Sequence, residues 1–482
     1  MLHNAPRLLL QITLLFLLLA SFVGCQESTT TQTSDPTDTA GAALWLTTPD
    51  KSALFEKQSN LLRFSESTNQ YPTINMDEAQ QYQTMKGFGY TLTGGSAMLL
   101  YQMESAARAA LLEELFRTDE DNIGVSYLRI SIGASDLDDR VFSYSDLPAG
   151  ETDPDMEQFS LEPDRAHLIP VLKEILAINP KIKIMSSPWS PPTWMKTNNN
   201  SKGGSLKPEY HDAYAQYFVK YIKGMADEGI PIDAITIQNE PLHPGNNPSL
   251  LMLPEQQAEF IKSSLGPAFK TANIDTKIIL YDHNADRPDY SITVLNDPEA
   301  RKYVDGSAFH LYGGEIEALS QVHEAHPDKH LYFTEQWIGA PGNFPADLGW
   351  HVKNLVIGAP RNWARNVLEW NLAADPDQNP HTEGGCTECL GALTIDGNTV
   401  TRNTAYYVIA HASKFVRPGS VRIASNMPEA LPNVAYQTPA GQKVVVVFND
   451  GKEEQTFNIC HKKQQQQITS SLSAGAVGTY VW

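Results

Sequence analysis

The 482-residue chain is 41% hydrophobic and 19% charged, which excludes a disordered polypeptide and leaves room for one large domain with a smaller companion. Its 36 basic and 56 acidic residues give a formal charge of -20, and no dense Lys/Arg cluster interrupts that field. A surface so negative repels phosphate backbones and argues against nucleic acid as a partner, while a neutral polymer such as a polysaccharide stays open.

The first 25 residues read as a targeting segment. Arg7 precedes an apolar run from Leu8 to Ala20, broken by Gln11 and Thr13 and short for a membrane span. The run ends in Phe22-Val23-Gly24-Cys25, which resembles a bacterial lipobox despite Phe22 where Leu is usual, and predicts lipidation of Cys25. Ordinary signal cleavage beside an incidental cysteine is the other reading. Residues 26–41 are rich in Ser, Thr and Asp without an apolar period, as a flexible tether should be. The expected location is the bacterial cell envelope, lipid-anchored and periplasmic or at the surface, or else the medium. Cys386, Cys389 and Cys460 are too few for a disulfide scaffold. Cys386-x-x-Cys389 lacks nearby ligands for zinc beyond His381, and export favours a local disulfide. No metal and no cofactor is expected.

Short strand-like pieces at 44–48, 61–64 and 73–75 follow the tether. Eight apolar runs come next, at 86–93, 125–133, 181–189, 234–241, 277–284, 306–313, 330–339 and 366–375. They are rich in β-branched and aromatic residues, as buried parallel strands are. Stretches with helical spacing lie between them, among them 106–117, 165–178, 210–227 and 254–271. Strand alternating with helix eight times predicts an α/β fold, a (β/α)8 barrel. A helix-like segment at 405–415 and alternating runs at 421–424, 434–437, 443–449, 455–459 and 477–482 end the chain. These predict an antiparallel β-sandwich completed by the N-terminal pieces, which cannot form a core alone. The expected organisation is a signal at 1–25, a tether at 26–41, sandwich strands at 42–85, the barrel at 86–403 and the rest of the sandwich at 404–482.

Polar and aromatic residues gather at the C-terminal ends of the eight runs: Asp136, Trp189, Asn239 with Glu240, Asp282 with His283, His310 with Tyr312, Glu335, and Trp370 with Asn371. Such barrels build their active sites at that rim. Run four ends in Gln-Asn239-Glu240-Pro241 and run seven in Thr-Glu335-Gln-Trp337. Strands four and seven face one another across a barrel mouth, and two opposed carboxylates are what glycosidic cleavage requires. Arg129, inside an apolar run, needs a carboxylate partner, either one of this pair or some other acid. Trp189, Trp194, Trp337 and Trp370 offer flat faces to sugar C–H groups. No phosphate loop, metal spacing or dinucleotide fingerprint competes.

The chain is similar to glycoside hydrolase family 30. The likeness rests on Lys86-Gly-Phe-Gly-Tyr-Thr-Leu-Thr-Gly, Leu128-Arg-Ile-Ser-Ile-Gly-Ala-Ser-Asp136, Ser187-Pro-Trp-Ser-Pro-Pro-Thr-Trp-Met-Lys196, Gln238-Asn-Glu-Pro241, His310-Leu-Tyr312, Thr334-Glu335, Glu369-Trp-Asn-Leu372 and Ser413-Lys-Phe-Val-Arg-Pro-Gly419. The resemblance implies a retaining double displacement with Glu240 as acid/base and Glu335 as nucleophile. It places Arg129 and Tyr312 against the nucleophile, and Asp136, Trp189, Asn239, His310 and Trp370 around the sugar, with Asn239 on the 2-hydroxyl. Tyr90-Thr-Leu-Thr-Gly-Gly and the segment 379–389 depart from the glucosylceramidase pattern at substrate loops. The reading therefore favours a β-glucan, β-1,6-linked, over glucosylceramide, with a non-catalytic glycan-binding lipoprotein as the alternative from another class.

Overall fold

The computed structural model describes residues 41–461 and 466–482, Ser67 apart. The expected signal segment, Cys25 and all of the tether but Gly41 lie outside the described residues.

Among the described residues, eight parallel strands close a barrel: β1 (Gly87–Thr91), β2 (Tyr127–Ser131), β3 (Lys183–Ser187), β4 (Ala234–Thr236), β5 (Lys277–Asn284), β6 (Val304–His310), β7 (His330–Glu335) and β8 (Ala364–Asn371). Each falls on one of the eight apolar runs. The strands are buried almost throughout because helices cover their outer faces. Inside, Tyr127, Met185, Ala234, Ile279, Ala308, Tyr332 and Leu368 form one packed layer drawn from seven strands. The side-chain period of two then puts Arg129, Ser187, Thr236, His310 and Thr334 at or next to the layer above, and the character of the interior changes from apolar to polar.

That period breaks at the rim. On β5, Tyr281 and Asp282 both have φ of +71°, and the β6 partners step from Tyr281 to His283. Asp282 is thus the extra residue of a bulge, and its carboxylate turns into the barrel. Similar register shifts lie next to Thr334 on β7 and Trp370 on β8.

The second layer of the molecule is a sheet built from both ends of the described chain. Its order runs Glu56–Lys57, Gly41–Thr47, Val477–Val481, Lys443–Phe448, Asn433–Gln437, Val421–Ser425, Thr73–Thr84, Gln455–His461, Gln466–Leu472. The sheet folds back until Ser65 bridges Gln467, and Leu44, Ile74, Val445, Phe457, Ile468 and Tyr480 fill the enclosed core. The pairing is antiparallel except where Gln455–His461 runs parallel to Thr73–Met76. Thr73–Thr84 is far longer than the piece expected at 73–75, because it serves one partner with its start and another from Met76 to Thr84. Gln466–Leu472 escaped the sequence reading because Gln and Ser occupy most of it. Only Ile468, Ser470 and Leu472 turn inward.

The helix Thr404–Ser413 was grouped with the sandwich in the expected division at 403/404. It packs on β1 and on the neighbouring barrel helix as well as on Val477–Val481, so it closes the last β/α unit and carries the joint to the sandwich.

Candidate active site

Arg129 is fully buried at the centre of β2, and its guanidinium organises the floor of the site. It donates to Glu335 Oε2 at 2.5 Å, to Asn239 Oδ1 at 2.6 Å, to Asp282 Oδ2 at 2.9 Å and to Ser187 Oγ at 3.1 Å. Its carbon lies 4.8 Å from the Trp189 ring centre, and Trp189 stacks in turn on Trp370. A buried cation is tolerated because two carboxylates and an aromatic face replace its water. Both readings of Arg129 hold: it pairs with Glu335 and with a second acid.

That second acid is Asp282, which was noted at the rim but not counted among the site residues. Its carboxylate also accepts from Ser187, Thr236 and Thr334 hydroxyls at 2.9, 2.7 and 2.6 Å, and approaches His310 Nε2 at 3.1 Å. Burial by itself would raise its pKa, but Arg129 and His310 reverse this and hold it well below the ordinary carboxylate range. The sequence signal was present, an Asp at the end of a buried strand. The bulge that turns it inward was not legible.

Glu240 follows β4 with φ of +46°, a left-handed conformation that lifts its side chain towards the cavity. Glu335 ends β7. One carboxylate oxygen of each, and a ring nitrogen of His310, lie within 4.8 Å of one another. Glu335 Oε1 accepts from the Tyr312 hydroxyl at 3.0 Å. His310 Nδ1 lies 3.3 Å from Glu240 Oε1 and 3.8 Å from Glu335 Oε1. Burial would discharge that ring, yet Glu335, Asp282 and Glu240 raise it to about 9, so it is an imidazolium at neutral pH. With both nitrogens protonated and Arg129 on Glu335, this trio is poorly suited to a metal.

The two glutamates compete for the same neighbours. Burial raises Glu335 to about 6, against the pull of His310 and Arg129 and with help from Glu240 and Asp136. Burial raises Glu240 as well, but hydrogen bonding and charge from His310 leave it lowered. Group by group, this would put a shared proton on Glu335. The hydrogen bonds argue the reverse: a guanidinium that cannot lose its charge sits on one oxygen of Glu335 and a phenol on the other. At this separation the proton belongs to the pair, and these two donors steer it to Glu240.

A cavity of about 420 Å³ opens above the pair. Asp136, Trp189, Asn239, Glu240, Tyr312, Glu335, Trp337 and Trp370 all line it, as expected. Because arginine only donates, Asn239 must turn its Oδ1 to Arg129, which leaves its NH2 as a donor towards the cavity. Two expected sugar contacts lie elsewhere. His310 sits behind the pair, both nitrogens engaged, and does not line the cavity. Trp194 is buried in the main core, its Nε1 donating to the Ser145 carbonyl and its ring against Tyr210, so it offers no face to a sugar. His243, Asn246, His283 and Asn284 complete one wall, and the other contains Cys386 and Cys389, which form a disulfide.

The model of the glycosyl hydrolase family 30 TIM-barrel domain matches residues 85–416, and that of the family 30 β-sandwich domain residues 419–480. Endo-1,6-β-D-glucanase neg1 of Aspergillus fumigatus is 35% identical over 86% of this chain and 88% of its own. Lysosomal acid glucosylceramidase of Mus musculus is 30% identical over 85% of this chain and 83% of its own. A solved endo-β-1,6-glucanase is 36% identical with a TM-score of 0.85, covering 92% of this chain and 99% of that one.

Proposed function

The chain belongs to glycosyl hydrolase family 30, and on that premise we propose that it is an endo-acting β-1,6-glucanase working by retaining double displacement. The observation that carries the mechanism is the approach of Glu240 and Glu335 to within 4.8 Å in one cavity. Retaining glycosidases hold their carboxyls about 5 Å apart, whereas inverting ones need room for a water, about 6.5 Å or more.

Glu335, ionised by Arg129 and Tyr312, attacks the anomeric carbon while Glu240 gives its proton to the departing glycosidic oxygen. Glu240, now a carboxylate, takes a proton from the water that releases the sugar from Glu335. The Asn239 amide faces the cavity as a donor, suited to a 2-hydroxyl whose interaction strengthens in the transition state. Asp136, buried in the cavity wall, accepts from sugar hydroxyls. Trp370 and Trp337 supply apolar surface.

The substrate reading is supported by relatives named as endo-1,6-β-glucanases at 35% and 36% identity, against 30% for the glucosylceramidase. The lipid on Cys25 is supported by the sequence, and export also by the Cys386–Cys389 disulfide, which belongs in an oxidising compartment. The test is a product profile on linear β-1,6-glucan with proton NMR of the first-formed anomer. Short oligosaccharides released first as the β-anomer are expected. A first-formed α-anomer overturns the mechanism, and turnover of glucosylceramide with none of the glucan overturns the substrate.

A further inference from the structure

The loop after β8 does more than close the barrel. Between Thr382 and Leu390 it touches three other rim loops. Thr382 N–H donates to the Asp136 carbonyl at 2.9 Å in the loop after β2, and Cys386 N–H to the Asp136 carboxylate at 3.3 Å. The Thr382 hydroxyl donates to the Asn247 carbonyl in the loop after β4, and Asn247 Nδ2 returns a bond to Glu383 at 2.8 Å. Cys389–Leu390 pairs antiparallel with Ile338–Gly339, just beyond Glu335 and Trp337, and Ala340 N–H donates to Glu388.

The disulfide sits where these ties converge. Cys389 is buried with Leu137, Trp189 and Trp370, and Trp337 and Cys386 pack on that cluster. The backbone has been drawn in tightly: a Cβ on Gly385 would come 2.4 Å from the Asp136 carbonyl oxygen, a contact no side chain tolerates. Between the cysteines only Thr387 and Glu388 intervene, so the crosslink adds little to the stability expected from closing a long loop. Its effect is local. It holds the N–H of Cys386 against a carboxylate that also bonds the Asn246 side chain, has no ion-pair partner among the described residues and faces the sugar cavity.

We propose that the Cys386–Cys389 disulfide is a positioning device for substrate binding, acting through Asp136. It fixes the carboxylate in the orientation that a sugar hydroxyl meets. This rests on the glycosidase reading above and deepens it.

The test is a double-mutant cycle between the cysteine pair and Asp136, read with an activated aryl β-glucoside so that it does not depend on the natural linkage. Cys386→Ser with Cys389→Ser lowers kcat/KM about tenfold, chiefly through KM, as expected for a displaced binding group. Combined with Asp136→Ala, the serine pair adds almost nothing, because the group it positions is gone. Gly385→Ala, which pushes the same carbonyl without touching sulfur, and treatment of the wild type with a small dithiol give the same KM-weighted loss. Losses that add independently, or serine variants with unchanged KM, overturn the proposal. The wild-type rate on the glucan tests the substrate reading separately.

Discussion

At the scale of single residues the site is a chain of charges arranged around Asp282. Arg129 and His310 are both cations, and Asp282 touches both while Glu335 and Glu240 take their other sides. Asp282→Ala leaves two buried cations short of a partner and is expected to destabilise by about 3–5 kcal/mol, measured by urea unfolding. His310 at about 9 stands above the 6.5 of a free imidazole, so its charge stabilises the fold fully below about pH 6.5. That contribution, at most ~3 kcal/mol, drains away as the pH rises to about 9. Urea midpoints taken between pH 6 and 9.5 should fall accordingly, and the fall should be largely absent in His310→Asn. Arg129 shows how far the sequence reached. A cation in an apolar strand demanded a carboxylate, and the demand was met, but the choice between Glu335 and another acid was false because the guanidinium has donors enough for both.

At the scale of elements, the barrel was legible because fully buried parallel strands leave uninterrupted apolar runs, and each of the eight runs holds a strand. What was hidden lies at strand ends, where bulges beside Asp282, Thr334 and Trp370 change which side chain turns inward. Parity counting fails there by one residue. Buried cations in loops are equally silent. Lys196 reads as a charged loop residue, yet its ammonium is buried and donates to Ser190 Oγ, Ser201 O and Ser249 O, pinning the loops after β3 and β4 together. Burial lowers its pKa to about 7. Lys196→Met fills the volume but removes three hydrogen bonds and leaves the buried Ser249 carbonyl without the ammonium, at a cost of about 2 kcal/mol. Because those loops carry Trp189 and Glu240, kcat/KM should fall alongside the unfolding midpoint. A variant that loses stability alone would separate the pin from the site.

At the scale of the whole molecule, the barrel and sandwich are joined through His411, on the helix Thr404–Ser413. Its ring is fully buried between Thr47 and Thr479, on the adjacent strands Gly41–Thr47 and Val477–Val481. The Thr479 hydroxyl donates to the His411 carbonyl, so it must accept from Nδ1–H. Thr47 accepts from Phe55 N–H and spends its proton on Nε2. The network therefore fits one neutral tautomer, and protonating Nε2 sets two donors against each other. Burial lowers this imidazole to about 3. A base held below its unfolded value keeps its full contribution above about pH 6.5 and loses it as pH falls towards 3. Between pH 7.5 and 4.5 the loss amounts to about 3 kcal/mol. His411→Gln retains one donor and one acceptor but has nothing to titrate. It should therefore be less stable than the wild type at pH 7.5, from imperfect packing against Phe55, yet lose less on acidification. Urea unfolding of both proteins at pH 7.5 and 4.5 checks this, with parallel losses locating the acid lability away from the joint.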